Sequence, residues 1–159
     1  MLSLLAAVLV AGCATANGPS YVSVAQKGPK AGYARVVVYP GSSTSGWPIK
    51  LDGQPIGDVT QGGFMYRDIP AGAHQISGEM WSYPGITRRD FHAAPRRTYY
   101  FMVRTSDRAK AVMTGVVVGG LVGGAIASAV TSDGGGPVDI IPVDESTGRR
   151  EVAQLKLAE

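Results

Sequence analysis

The sequence predicts a mostly β protein. It reads as an antiparallel β-sandwich, with a Gly-rich helical or membrane-contacting excursion before the last strand and a short C-terminal helix. Three observations predict it. Short β-branched and aromatic segments recur from Arg35 to Arg104, with Gly, Pro and Asp turns about every eight to twelve residues. The segment Thr98–Arg104 alternates: Tyr99, Phe101 and Val103 fall on one face, and Thr98, Tyr100, Met102 and Arg104 on the other. A long run without charge, Ala111 to Ser132, then interrupts the β pattern.

Each element has a local cause. Arg35-Val-Val-Val-Tyr39 is β-branched and stops at Pro40. Pro48-Ile-Lys-Leu51 alternates into Asp52-Gly53, a tight-hairpin pair because both residues tolerate positive φ. Ile56–Val59 returns, and Phe64–Asp68 follows Gly62-Gly63. At Ile69-Pro70-Ala71-Gly72 the proline presets φ and the glycine supplies the conformation a side chain resists. Ala73–Trp81, Thr87–Ala93 and Thr98–Arg104 complete the β region. The expected organisation is a signal peptide over 1–12, a flexible tether over 13–33 and the sandwich over 34–105. The excursion follows over 106–136, and 137–159 supplies the final strand and C-terminal segment that complete the core.

Cys13 is the only cysteine and follows Val10-Ala11-Gly12 at the end of the apolar run Leu2–Ala11. This resembles the lipobox of bacterial lipoproteins, in which cleavage between positions matching Gly12 and Cys13 exposes a cysteine for lipidation. Small residues let a signal peptidase hold an extended backbone, and a thiolate is the nucleophile that accepts the lipid. The plain alternative is an unused thiol within an ordinary secretory signal. Met1-Leu2-Ser3 lacks the basic opening of a signal peptide, which a start assigned too far downstream would explain. Ala14 follows the cysteine, and in lipoproteins the absence of Asp there favours the outer membrane. The expected location is therefore the cell envelope, lipid-anchored at the outer membrane and facing the periplasm. One cysteine allows no intramolecular disulfide.

Composition bounds the rest. Hydrophobic residues make up 45% and charged residues only 17%, which suits one small domain with appendages. Twelve basic and six acidic residues lie up to Lys110, against three and six beyond it. The cations Arg88, Arg89, Arg96, Arg97 and Arg104, with Arg108 and Lys110, interleave with Phe91, Tyr99, Tyr100 and Phe101. Such a set is a candidate site for an anionic ligand. Its plain alternative is a solvated strand face. Nucleic acid is not an expected partner of an exported lipoprotein, whereas an anionic glycan, an anionic lipid or an envelope protein is.

In the excursion, Gly115, Gly119 and Gly123 repeat at four-residue spacing, and Gly120 and Gly124 form a second row. On a helix these rows form a stripe that lets another backbone approach closely. Each interior glycine costs about 1 kcal/mol relative to alanine, so an isolated helix here should fail without a partner or a bilayer. The length suffices for a membrane span, but a single span would leave Arg104, Arg108 and Lys110 on the side opposite the cytoplasm. The expectation is an excursion that returns, by self-association, half-insertion in lipid or packing on the domain. A Gly-rich loop is the alternative.

No catalytic constellation is legible, and no enzyme activity, metal or cofactor is expected. His74 ends a turn and His92 sits in a strand among arginines, both read as surface or edge residues. Gly134-Gly135-Gly136 lacks the strand-loop-helix setting and the Lys-Ser/Thr of a phosphate loop. Asp52, Asp58 and Asp68 sit where turns favour Asp. Trp81 and Tyr83 read as a core-strand end or as an exposed aromatic loop for glycan stacking.

The segments Arg35-Val-x-Val-Tyr39, Ile49–Gly57, Gly63–Tyr66, Ile69–His74 and Thr98-Tyr-Tyr100, with Pro142–Leu157, are similar to an uncharacterised domain of short bacterial lipoproteins. Ile49–His74 also resembles PEGA-type surface β domains. The resemblance implies a PEGA-like sandwich and no catalytic residues. The stretch 106–136 departs from the family's pattern.

Overall fold

The computed structural model describes residues 16–41, 46–80, 83–110 and 135–158. The strands are β1 (Tyr33–Pro40), β2 (Trp47–Leu51), β3 (Gln54–Val59), β4 (Gly63–Pro70), β5 (Gly72–Met80), β6 (Tyr83–Ala93), β7 (Thr98–Thr105), β8 (Val138–Val143) and β9 (Lys156–Leu157). They form a five-stranded sheet, β8-β7-β1-β4-β9, and a four-stranded sheet, β3-β2-β5-β6. Helix α1 (Tyr21–Ala25) precedes β1, and α2 (Glu145–Val152) lies between β8 and β9.

The sandwich expected from the sequence is present, with most neighbours antiparallel. Two pairings are parallel: β1 with β7, and β4 with β9. The last strand is β9, after the C-terminal helix, so the excursion precedes the last two strands rather than one. A two-residue strand leaves no alternation to read.

β1 lies at the centre of its sheet and is buried on both faces. Ala34, Val36 and Val38 join Ile49, Leu51, Met65, Ile76, Phe101, Val103 and Ile140 in the core between the sheets. Val37 and Tyr39 project to the other side, where they pack with Phe64, Tyr100, Val152, Tyr21 and Val24. The alternation read in β7 holds: Phe101 and Val103 lie in the first cluster and Tyr100 in the second.

The flexible tether expected over 13–33 is corrected by this second cluster. Tyr21 and Val24, three apart on α1, are 6% and 8% exposed. Gly18 N–H donates to Leu157 O and Tyr21 N–H to Leu155 O. Arg35, 5% exposed, fastens the segment from below. Its guanidinium makes a two-pronged pair with Asp68, donates to Val24 O and Gly28 O, and lies 4.7 Å from the Tyr66 ring centroid. Breaking such a buried pair costs several kcal/mol, so residues 18–28 belong to the folded unit.

Strand register defines two poles. The first holds Pro40 beside Val103, Thr105 beside Val138, Trp47 beside Val59, and the start of β4. The second holds Tyr33 beside Pro70, Gly72 beside Ala93, Tyr100 beside Val143, and the Asp52-Gly53 turn between β2 and β3.

Candidate functional site

The turns come first, because they position everything else. Asp52 and Gly53 have φ of 51° and 76°, the double positive φ expected of the tight hairpin. Gly72, at φ 141°, starts β5 where the chain passes from one sheet to the other. His74 ties the two turns together: Nδ1 meets Asp52 Oδ2 at 2.6 Å and Nε2 meets Pro70 O at 2.9 Å. Its side chain is 10% exposed, so the surface reading of His74 is corrected to a structural brace. Burial alone would raise the Asp52 pKa, but the Gln75 N–H and the His74 ring outweigh it and hold the carboxyl below its ordinary value.

The five arginines singled out in the sequence do not form one surface. Arg88 and Arg89 are consecutive in β6 and so face opposite ways. Arg89, paired with core residue Ile76, turns inward and donates from Nε to Ile140 O at 2.8 Å, linking the edges of the two sheets. Arg67 does the same on the opposite side, donating to Pro55 O. Arg96 has φ 62° in the β6–β7 turn and donates its N–H to Tyr33 O at the second pole. Arg97, in the same turn, pairs with Glu145 at 3.7 Å. Arg104 lies near the other end of β7, paired with Asp139 directly across the strand gap. Only the stacking of the sheets decides these directions.

Arg88 faces a cleft. The cleft, of about 380 Å³, is lined by Thr87, Arg88, Ser106, Asp107, Arg108 and Asp139 with the 135–136 backbone. Asp139 is neutralised by Arg104 and Asp107 by Lys110. Hydrogen bonding from Lys110, then its charge, holds the Asp107 carboxyl below its ordinary range. Arg88 and Arg108 make no ion pair among the described residues. Nearby, the Tyr83 hydroxyl is buried and has no hydrogen-bond partner among the described residues. Burial pushes its pKa up, opposed by the charge of Arg108.

Sequence reasoning missed what closes this cleft. Gly136 lies so close to β6 that no side chain fits there, while a Cβ on Gly135 would meet the end of the flexible Arg108 side chain. A Cβ on Gly136 would stand 2.7 Å from the Ile86 carbonyl carbon, and one on Gly135 would stand 2.9 Å from Arg108 Cζ. Ser106 then locks the two ends of the excursion together. Its N–H donates to Pro137 O at 3.0 Å and its hydroxyl donates to Gly136 O at 3.1 Å. The Gly-Gly signal was legible; its partner, the free edge of β6, was not.

The remaining sequence-predicted sites, Gly12, Cys13, Gly115, Gly119, Gly120, Gly123 and Gly124, lie outside the described residues. Among the described residues no helix is long and apolar enough to cross a membrane, and no group of three or more His, Cys, Asp or Glu is placed to hold a metal ion. No protein-family model and no curated protein matches the chain.

Proposed function

We propose that this is a non-catalytic, lipid-anchored cell-envelope protein with a structural or interaction role. In this reading Cys13 carries the lipid at the outer membrane, facing the periplasm, and a PEGA-like sandwich presents the Gly-rich segment for self-association or membrane contact. The observation that carries the interaction role is the Ser106 clamp. Thr105 and Val138 pair and Ser106 joins 136–137, so β7 and β8 stay adjacent and the chain between Lys110 and Gly135 starts and returns at one place. A run without charge from Ala111 to Ser132 suits contact with an apolar or close-packed surface, here a second copy or the membrane. Crosslinking in intact envelopes tests this role. Wild type should give self-adducts or envelope-protein adducts that Gly119→Leu removes while the sandwich stays folded; unchanged adducts in Gly119→Leu would oppose a glycine contact.

A second reading, a module for an anionic glycan or lipid, is favoured by the cleft and not by the wider arginine set. Arg88 and Arg108 line the cleft and make no ion pair among the described residues. Replacing both with alanine should abolish retention on an immobilised anionic polysaccharide, whereas Arg96→Ala with Arg97→Ala should leave it intact. Equal losses from both pairs would point to charge without a site.

A further inference from the structure

The poles of the sandwich are not equivalent in what enters them. Ala16 packs at the first pole, its Cβ 3.0 Å from where a Cβ on Gly63 would stand. Only two residues, Ala14 and Thr15, separate it from Cys13, and three Cα steps reach at most about 11 Å. Eight-residue strands at about 3.3 Å per residue place the second pole about 25 Å away. A chain tethered at Cys13 cannot turn that second pole to the surface that holds its lipid.

The excursion leaves from the same end. Val38 pairs with Met65 and Pro40 with Val103, so the start of β4 and the end of β7 share the first pole. They lie two strands apart, about 10 Å. The described residues that flank the uncharged run, Lys110 and Gly135, therefore lie at the same pole as Ala16. The adjoining 107–110 turn carries Arg108, which makes no ion pair among the described residues, while exposed Lys156 sits on β9 against the start of β4. Cations at that depth favour anionic headgroups.

We propose that the first pole is the face this protein turns to the bilayer, docked on anionic phospholipid headgroups and standing end-on over its anchor. The second pole, with the Asp52-Gly53 and Arg96 turns, then points into the periplasm as the free surface. This orientation rests on the lipid-anchored reading above.

The test uses the full lipidated chain, reconstituted in vesicles of phosphatidylethanolamine and phosphatidylglycerol that carry a headgroup-level spin-labelled lipid. Fluorophores are placed one at a time through Asp107→Cys at the first pole, Gln54→Cys at the second, Asp90→Cys on the open sheet face and Arg150→Cys on the helix face. All four positions are exposed or nearly so, and thermal unfolding checks each variant. The expected result is strongest quenching at position 107, least at 54 and intermediate values at 90 and 150. Strongest quenching at 90 or 150 would lay the domain on its side, and strong quenching at 54 would invert it; either overturns the orientation. Mass analysis of the same preparation separates the premises. An acylated Cys13 with the wrong quenching order defeats the orientation alone, and an unacylated chain defeats both.

Discussion

Replacing Gly148 with alanine should destabilise this protein, although the same change in an exposed helix interior stabilises by about 1 kcal/mol. Gly148 lies in α2, buried, directly over the Tyr100 ring. A Cβ there would stand 2.7 Å from both Cβ and Cδ1 of Tyr100 and nearer still to Cγ. Ordinary carbon contacts need about 3.5–4.0 Å, so α2 would have to retreat by about 1 Å. Tyr100 cannot give way, because it is 1% exposed and hydrogen-bonded to Tyr21. Retreat would loosen Val152, fully buried, and the hydrogen bond that Tyr39 donates to Glu151. Overpacking costs about 1–3 kcal/mol, and approach to three Tyr100 carbons at once puts this case in the upper half of that range, which exceeds the helix-propensity gain and leaves a net loss of about 1–2 kcal/mol. Urea unfolding followed by tyrosine and tryptophan fluorescence measures it. At slopes of about 1–3 kcal/mol/M, the midpoint should fall by about 0.5–1 M with an unchanged slope. A midpoint equal to or above that of wild type would refute the packing of α2 on Tyr100.

The other predictions are smaller in scope. His74→Ala should lose about 1–2 kcal/mol in the same assay, from the bonds to Asp52 and Pro70 that brace two turns; a neutral result would mean the brace carries nothing. Gly53→Val and Gly72→Val should each cost about 1–3 kcal/mol through backbone strain alone, since no atom lies within 4 Å of a Cβ at either position. Asp144 caps α2, and the Ser146 hydroxyl, then the Thr147 N–H, hold its carboxyl well below the ordinary 3.8. Its contribution to stability is full above that ordinary value and lost as pH falls through the lower folded value. Asp144→Asn, itself a competent cap, should therefore flatten the acid branch of stability against pH, and an unchanged acid branch would remove Asp144 from it. Deleting 111–134 behind a short Gly-Ser link should leave the sandwich folded by circular dichroism, because Thr105 still meets Val138.

What was legible in the sequence was local. The Asp52-Gly53 hairpin, the Pro70–Gly72 turn and the alternation of β7 follow from φ preferences and period-two patterning, which need no knowledge of partners. What was not legible depends on which surfaces stack. Tyr21-Val-Ser-Val-Ala25 has little intrinsic helix preference and forms α1 because Tyr21 and Val24 complete a cluster over Val37, Phe64 and Tyr100. Arg35 opens a strand like any surface cation, yet it is buried against Asp68, far away in sequence. The arginine-aromatic set failed as a single site for the same reason. Consecutive arginines on a strand face apart, and only the meeting of β6 with the 135–138 segment singles out Arg88 and Arg108.

The central claim is that Cys13 anchors this domain to an envelope membrane by lipid. Intact-mass and N-terminal peptide analysis of the native protein from isolated membranes tests it most directly. The mature chain should begin at Cys13 and carry a diacylglyceryl group on the thiol, with Cys13→Ala neither processed there nor acylated. A membrane-derived chain that retains residues before Cys13, or begins there with a free thiol, would contradict it.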